Sequence, residues 1–378
     1  MKPQVSLQPL NDYHPERVRA ALLKLLDPLG GIGSFVKPGQ KVLIKPNMLS
    51  GKDPARAVTT HPELVRQMIL LAREAGGKIS VGDSPGLGKP QEVARKCGIW
   101  QVIEETGAQF APFAESVPVH LKDGTFHQLE IARDALEADL IINLPKLKTH
   151  QMMGFTGAVK NLFGLVVGTR KVRLHLQAGT DKAFFALMLL ELAERFQPAL
   201  SIMDAVIAME GDGPGSGDPV AVGALLASAN PLALDTLATA LVGLPTESVW
   251  TQRVARETGR FGTDLLQLEL FGSDWRTLQP RQFRPAKNTD VNFGLPAPLK
   301  NLLKNGLSAK PFINRRCEHC GACVRHCPPG AMELDRSGVK IDYGRCIRCF
   351  CCQELCPFNA IETRQGALLR LADMLKGK

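Results

Sequence analysis

Eight cysteines near the C-terminus of this chain repeat one spacing twice. Each run has three cysteines separated by two residues, then a fourth after three more residues, which is followed by proline. The runs are Cys317, Cys320, Cys323 and Cys327, then Cys346, Cys349, Cys352 and Cys356. Thiolates in this spacing hold 4Fe–4S clusters, and the fourth cysteine of each run ligates the cluster of the other run. We therefore predict two clusters, one on Cys317, Cys320, Cys323 and Cys356, the other on Cys346, Cys349, Cys352 and Cys327.

The two remaining cysteines do not fit the repeat. Cys351 lies out of register between two predicted ligands, and Cys97 stands alone. Free cysteine often behaves as a small buried hydrophobe, so we expect both to pack in the interior. Zinc bound by C-x-x-C knuckles is the alternative for the other eight. The second Cys-Pro ending favours iron–sulfur, as does the repeat of residues 331–333 as residues 360–362.

Two adjacent clusters indicate one-electron transfer over a short distance. A cluster that only held the fold together would not need a second one beside it. We therefore expect an electron-transfer ferredoxin segment in a reducing compartment. Its predicted partner is a redox protein or a ferredoxin chain.

The overall charge is basic. Lysine and arginine outnumber aspartate and glutamate by 46 to 37, for a formal net charge of +9. Two oxidised clusters would carry roughly −2 each with their thiolates and lower this to about +5. A basic balance permits small anions, a membrane surface or nucleic acid as partners. No block of basic residues and no nucleic-acid-binding motif appears, so we expect no nucleic acid.

Export and membrane insertion are not expected. The first ten residues lack the apolar core of a signal peptide. The most apolar predicted helix segment, residues 183–190, is bracketed by charged residues and is too short to span a bilayer. We expect a soluble, cytoplasmic protein.

Before the cysteines, apolar runs alternate with helical patterns. Strands are predicted at 41–45, 78–81, 139–143, 200–203 and 220–228, and a hairpin at 117–121 with 125–129. Helices are predicted at 91–96, 99–105, 156–163, 182–196, 231–242 and 246–258. A capping box of Thr60 and Glu63 starts a further helix. This alternation is typical of an α/β fold with a mostly parallel sheet flanked by helices.

The domain boundaries follow from these patterns. We place the α/β domain at 1–273 and a linker at 274–312, where proline and basic residues increase and periodicity fades. A small α+β ferredoxin domain of the bacterial two-cluster type follows at 313–364. A helical tail at 365–378, with its helix over 367–375, ends the chain.

Polar side chains follow four of the predicted strands. In an open parallel sheet, the carboxyl ends of the strands lie on one edge and form a ligand crevice. We therefore predict a site for a small anionic substrate at this edge. The residues predicted to bind it are Lys45, Asn47, Ser84, Asn143, Lys146, Lys160, Asn161, Asp204 and Glu210.

The chemistry of this set suggests further roles. We predict His150, Asp83 and Lys148 as catalytic residues, because imidazole and carboxylate groups move protons and lysine attracts anions. Asp83, Asp204 and Glu210 could instead hold a divalent metal through oxygen. Free amides at the start of the 156–163 helix suit phosphate or carboxylate. His61 lies in the first turn of a helix, where capping is the alternative to metal or proton chemistry.

Several short motifs resemble the domain-of-unknown-function 362 family. They are Lys45-Pro46-Asn47, Thr60-His61-Pro62, Gly82-Asp83-Ser84-Pro85-Gly86, Pro145-Lys146-Leu147-Lys148-Thr149-His150, Thr156-Gly157-Ala158-Val159-Lys160-Asn161 and Asn230-Pro231-Leu232-Ala233-Leu234-Asp235. The family often has aspartate where Asn230 stands. Many members end in a ferredoxin pair like this one. The resemblance implies the architecture and the location of the site, and no general reaction.

Three functions are compatible with these features. The leading hypothesis is a ferredoxin-linked oxidoreductase whose clusters exchange low-potential electrons with the anionic substrate. The second is a non-catalytic electron-transfer or maturation partner of a larger redox enzyme. The third is a non-redox transferase or ligase with structural clusters.

Overall fold

The computed structural model describes residues 1–86, 88–120, 124, 126–168, 170–287, 309–336 and 338–366. The strands are β1 Gln4–Pro9, β2 Lys41–Pro46, β3 Lys78–Val81, β4 Gln109–Phe110, β5 Ser116–His120, β6 Gln128–Ala132, β7 Leu140–Leu144, β8 Lys146–His150, β9 Gly154–Thr156, β10 Leu200–Glu210, β11 Asp218–Ser228, β12 Glu269–Gly272, β13 Ala309–Ile313, β14 Met332–Asp335, β15 Gly338–Ile341 and β16 Ile361–Gln365. The predicted tail helix at 367–375 lies outside the described residues.

The helices cover both faces of the main sheet. They are α1 Pro15–Leu26, α2 Ile32–Phe35, α3 Pro62–Glu74, α4 Pro90–Lys96, α5 Ile99–Thr106, α6 Arg133–Leu136, α7 Ala158–Asn161, α8 Arg170–Ala178, α9 Lys182–Phe196, α10 Pro231–Leu241, α11 Trp250–Glu257, α12 Ala322–Arg325 and α13 Cys351–Leu355. Among the described residues, no helix is long and apolar enough to cross a membrane.

The main sheet has the order β12-β1-β11-β10-β7-β2-β3-β4. Its parallel part runs from β10 through β7, β2 and β3 to β4. Strand β11 is antiparallel to both β10 and β1. The predicted α/β class with a mostly parallel sheet is therefore confirmed, with an antiparallel section around β11.

Alternating side chains of the central strands build a core on each face of the sheet. Val42 and Ile44 of β2 pack with α1, α3 and α5. Leu43, between them, points to the other face, where it packs in the cluster that contains α9. This period of two is what a strand covered on both faces requires.

Four details of the predicted elements are wrong. The cap of α3 is His61, whose Nδ1 accepts from Glu63 N, while Thr60 Oγ1 donates to Leu144 O. Residues 154–156 are strand β9, and the helix after them begins only at Ala158. Residues 146–150, for which no strand was predicted, form the fully buried strand β8. Strand β10 continues to Glu210, so Asp204 lies inside it.

The ferredoxin segment is built from two small pairs of strands around the cysteines. Strand β13 pairs antiparallel with β16, and β14 pairs with β15. Strand β13 therefore lies mostly within the stretch predicted as a linker. The start of that stretch packs on the α/β core through Trp275, Leu278 and Phe283. Residues 288–308 lie outside the described part of the chain.

Strand β8 is joined to β10 by a buried ion pair. Lys146 and Asp204 are register partners across these parallel strands, and Lys146 Nζ lies 2.8 Å from Asp204 Oδ2. The two side chains are 1% and 0% exposed. Tyr13 OH donates to Asp204 Oδ1 at 2.7 Å, and His61 N donates to Asp204 Oδ2 at 2.9 Å. The carboxylate therefore links α1, α3 and β8 to β10.

This pair makes a stability prediction. Asp204→Asn leaves the Lys146 charge buried without its partner, and we expect a loss of about 3–5 kcal/mol in the free energy of unfolding. The double variant Lys146→Met, Asp204→Leu buries no charge and should lose less than the single variant. Urea unfolding measures both. If the double variant lost as much free energy of unfolding as Asp204→Asn, or more, a charge-pairing role would be contradicted.

Candidate functional site

A cavity of about 80 Å³ lies at the carboxyl edge of the parallel strands. A site needs roughly 10–15 Å³ to hold one water molecule, so there is room for several waters or one small anion. Loops after β2 and β3, together with β8, β9, α7 and α8, supply most of the wall. The ferredoxin segment closes it with Cys351, Glu354 and Leu355 of α13. Residues from both parts of the chain therefore face the same space.

Asp83 lines the cavity and forms a buried pair with Lys45, which is itself outside the described lining. Lys45 Nζ lies 2.8 Å from Asp83 Oδ1, and the side chains are 0% and 4% exposed. Asp83 Oδ2 also accepts from Met48 N at 2.8 Å. A Cβ at Gly164 would lie 2.0 Å from Asp83 Oδ1 and 2.7 Å from Lys45 Nζ. The pair therefore depends on a glycine at position 164.

Lys148 lines the cavity, and among the residues that the structure describes no carboxylate forms an ion pair with it. Its Nζ donates to Asn47 Oδ1 at 2.9 Å and to Val58 O at 2.6 Å. Burial lowers the pKa of Lys148 to about 7. Both acceptors are neutral, so the positive charge of the protonated form is not cancelled locally.

Three asparagines hold one another beside Lys148. Asn47 Nδ2 donates to Asn161 Oδ1, and Asn161 Nδ2 donates to Asn143 Oδ1, both at 2.8 Å. Asn143 Nδ2 then donates to Ala158 O at 3.1 Å. This chain fixes Asn47 and Asn161 at the cavity wall. Asn143 holds the Asn161 side chain in place and is not among the described residues that line the cavity.

Lys160 and Lys171 add two more ammonium groups. The Nζ atom of Lys160 lies 5.8 Å from the centre of the Phe163 ring. Lys171 Nζ donates to Ser84 Oγ at 3.0 Å and also to the backbone oxygens of Ser84 and Pro85. The protein around Lys171 removes it from water and lowers its pKa to about 7.

Sequence reasoning missed Lys171, His175 and Glu354. Lys171 and His175 lie on α8, a mainly polar helix that we did not predict. His175 stacks on Phe185 with 4.3 Å between ring centres. Glu354 lies among the cluster cysteines, and no sequence signal connects it with the distant sheet edge. The packing of α8 within the α/β domain brings Lys171 and His175 to the cavity, and the packing of the ferredoxin segment on that domain brings Glu354.

His150 joins the two parts of the chain. Its Nδ1 accepts from the backbone N–H groups of Met152 and Met153 at 3.1 and 3.2 Å. The proton of the neutral ring therefore lies on Nε2, which is 2.9 Å from Glu354 Oε1. Burial lowers the pKa of His150 to about 4. This predicted catalytic residue is thus placed behind Glu354 and outside the described cavity lining.

The proposed divalent metal site does not form. Asp83 pairs with Lys45, Asp204 with Lys146, and Glu210 lies 2.6 Å from Arg284 Nε. Each carboxylate is therefore neutralised by its own cation. Over the described ranges, no group of three or more His, Asp or Glu side chains could hold a metal ion at this edge. Lys146, Asp204 and Glu210 also lie outside the described lining of the cavity.

The predicted free amides at the helix start are already occupied. Ala158 N and Val159 N of α7 donate to the carboxylate of Asp235 at 2.6 and 3.1 Å. A Cβ at Gly157 would lie 2.2 Å from Asp235 Oδ1. Burial raises the pKa of Asp235 to about 7. The anion at this helix start is therefore a side chain of the protein.

The cysteines line two cavities in the ferredoxin segment, with a different set of four at each. One is lined by Cys317, Cys320, Cys323 and Cys356. The other is lined by Cys327, Cys346, Cys349 and Cys352. These are the two sets assigned above from the spacing. The thiol chemistry and the cross-over of the fourth cysteine fit two 4Fe–4S clusters.

The two cysteine runs have the same backbone hydrogen bonds and left-handed φ angles at matching positions. Ala331 N donates to Cys327 Sγ and Ala360 N to Cys356 Sγ, each at 3.2 Å. His319 and Arg348 have φ of +53° and +57°, and Gly321 and Phe350 have φ of +70° and +58°. The left-handed backbone at matching positions curls each loop around its cavity. This symmetry explains why the sequence repeat extends beyond the cysteines to the alanines.

Cys351 and Cys97 are both buried. Cys351 is in the core cluster of the α9 face and Cys97 in that of the opposite face. Burial raises the pKa of the Cys97 thiol to about 11. Cys351 differs from Cys97 because it also forms part of the wall of the sheet-edge cavity.

Two family models match the chain. The model described as domain of unknown function (DUF362) matches residues 42–240, and a 4Fe-4S dicluster domain model matches residues 316–360. Thylakoid-associated protein sll1697 of Synechocystis sp. is 38% identical over 314 residues, which cover 81% of this chain and 95% of that protein.

Other relatives match a smaller part. Pyruvate synthase subunit PorD of Methanocaldococcus jannaschii is 38% identical over 65 residues, 17% of this chain and 76% of that protein. The arsenate respiratory reductase iron-sulfur subunit ArrB of Shewanella sp. is 38% identical over 53 residues, 13% of this chain and 23% of that protein.

Solved structures show only a distant likeness. The lactate racemase apoprotein of Thermoanaerobacterium thermosaccharolyticum aligns at 17% identity and a TM-score of 0.39, over 61% of this chain and 55% of that chain. A likeness of this degree carries no information about function. The family and domain matches confirm the resemblance drawn from the motifs, and the chain belongs to the domain-of-unknown-function 362 family, with a 4Fe–4S electron-transfer ferredoxin domain near its C-terminus.

Proposed function

We propose that this protein passes low-potential electrons between two 4Fe–4S clusters and a small anionic substrate in the sheet-edge cavity. One observation carries the proposal: the cavity wall includes Cys351, which stands between the predicted ligands Cys349 and Cys352. A molecule in the cavity would therefore lie one residue away from the second cluster. When bound, the clusters supply single electrons.

The cavity residues divide the remaining work. Lys148, Lys160 and Lys171 attract the anion, while Asn47 and Asn161 orient it through their fixed amides. Lys148 Nζ serves as proton donor, because it lines the cavity and its pKa of about 7 is close to the working pH, a position and pKa that Lys171 shares. Asp83 is held by Lys45 and His150 faces Glu354, so both act by positioning other groups.

Electrons would enter at the opposite side of the ferredoxin segment. Cys320, a predicted ligand of the first cluster, is exposed, whereas Cys349 of the second is buried. Phe358, next to the first cluster, is 42% exposed. This arrangement supports an outer cluster that meets a redox protein and an inner cluster that serves the cavity.

The same exposed edge favours a second candidate function, that of a non-catalytic electron carrier. The relatives that match only the ferredoxin segment include subunits named for pyruvate synthase and arsenate respiratory reductase. In that case the α/β domain would dock a larger enzyme. Stable co-purification with such an enzyme, together with no saturable response to any small anion, would favour the carrier role.

The cluster content gives the first test. Protein purified without oxygen should hold about eight irons and eight inorganic sulfides per chain, as two 4Fe–4S clusters require. Cys349→Ser should lose iron, because it removes a ligand. Cys351→Ser, the neighbouring control, should keep the full content. Zinc in place of iron, or equal iron loss in both variants, would refute the ligand assignment.

Reoxidation of the reduced clusters tests the proposed reaction. After anaerobic reduction, candidate small carboxylates and phosphates are added and cluster absorbance is followed by stopped flow. The substrate should give a rate that saturates with its concentration. In Lys148→Met the rate should fall by about 10²-fold or more, since a proton donor and a charge contact are both lost.

Ferricyanide provides the control, because it can accept electrons at the protein surface. Its rate should be the same in the wild type and in Lys148→Met. If every candidate anion reacts without saturation and equally fast in both proteins, the cavity has no part in electron transfer.

A further inference from the structure

The lysines at the sheet edge fall into two groups with different surroundings. Lys45 and Lys146 each have a carboxylate oxygen at 2.8 Å. In the part of the chain that the structure describes, Lys148, Lys160 and Lys171 form no such ion pair. Their recorded contacts are neutral oxygens and an aromatic ring. The same fold thus pairs its structural lysines and leaves three cavity lysines without an acidic partner.

Among the side chains that line the cavity, taken together with Lys45, positive charges exceed negative charges by two when these lysines are protonated. Lys45 cancels Asp83. Glu354 contributes one negative charge against the three ammonium groups. His150 and His175 are neutral at pH 7, because burial lowers their pKa to about 4 and about 3. With the lysines protonated, the lining side chains and Lys45 by themselves are balanced by a ligand with two negative charges. The second cluster, at roughly −2 with its thiolates, lies outside this count, on the Cys351 side of the wall.

The positions of the three ammonium groups further restrict the class of anion that the cavity can bind. The three ammonium groups come from β8, α7 and α8, so they approach the cavity from separate elements. The described lining contains no arginine, whose planar fork binds carboxylate and phosphate with two parallel hydrogen bonds, so the cations in the lining are all lysine ammonium groups. Lysine binds phosphate as a point charge. Separate point charges suit a tetrahedral dianion better than a planar one.

A buried, unpartnered polar atom lies at the same wall. His175 is 4% exposed and lines the cavity, and its Nδ1 has no hydrogen-bond partner. A buried polar atom without a partner is costly. A ligand oxygen, or a water bound with the ligand, would satisfy it.

We infer that the cavity binds a phosphate group, either as the handle of a phosphorylated small molecule or as free phosphate. This inference rests on the proposed substrate site and specifies what that site recognises. The phosphate lies among Lys148, Lys160 and Lys171, and the rest of the molecule extends toward Cys351 and Leu355. A phosphorylated substrate thereby presents its reducible part to the second cluster.

Binding measurements on the complete, cluster-loaded and oxidised protein test this without electron transfer. Isothermal titration at pH 7 compares inorganic phosphate, malonate and acetate. Phosphate should bind more tightly than either carboxylate. Lys160→Gln should weaken phosphate about tenfold or more, because it removes a charge-assisted contact. A variant of the exposed Lys24, Lys24→Gln, is the matched control and should bind like the wild type.

Lys160 is the lysine to replace, because its recorded contact is with a ring and its loss breaks no described hydrogen bond. Unchanged thermal unfolding and cluster absorbance would show that Lys160→Gln is folded. Acetate or malonate binding as tightly as phosphate, or equal phosphate affinity in Lys160→Gln and the wild type, would overturn the inference.

A phosphate monoester series then distinguishes the two sources of the group. Tighter binding of esters than of inorganic phosphate indicates a phosphorylated substrate, and the reverse indicates free phosphate. If phosphate and its esters bind but no ester reoxidises the reduced clusters, this inference stands and the redox role is removed. Saturable reoxidation by a ligand that does not compete with phosphate would support the redox role and overturn this inference.

Discussion

The structure depends on how it accommodates lysine side chains in its interior. Lys45, Lys146 and Lys148 are at most 2% exposed. An isolated ion in a protein interior is costly, and it is tolerated only with a partner charge or good hydrogen bonds. Lys45 and Lys146 each contact a carboxylate, and Lys148 donates hydrogen bonds to a side-chain amide oxygen and a backbone carbonyl. These partners determine the position of each lysine side chain at the sheet edge.

The same constraint explains why residues distant in sequence meet. Asp83 on the loop after β3 holds Lys45 on β2, and Asp204 on β10 holds Lys146 on β8. Gly164 and Gly157 allow the close approaches that bring carboxylates to lysine and to backbone amides. The sheet edge is therefore a network of charge contacts, and the cavity lies where that network leaves cations unmatched.

The ferredoxin segment takes part in this network. Glu354 contacts His150, and Lys52 Nζ donates to Gly215 O at 3.2 Å and to the side chain of Asn359. These contacts set α13 against the sheet edge. An electron-transfer module held this way has a defined distance to the cavity, which a module on a free linker would not have. Coupling between the two parts is thus a property of their packing.

The sequence alone determined the features that rest on local spacing. The cysteine runs predicted the two sets of four that line the two small cavities, and the apolar runs predicted most strands of the parallel part, because ligand spacing and strand period are short-range properties. Tertiary structure alone decided the rest. It assigned Asp204 and Glu210 to cations of their own and gave the α7 amides to Asp235. It also brought Lys171, His175 and Glu354 to the cavity. Those outcomes depend on contacts between residues far apart in the chain, which no local pattern records.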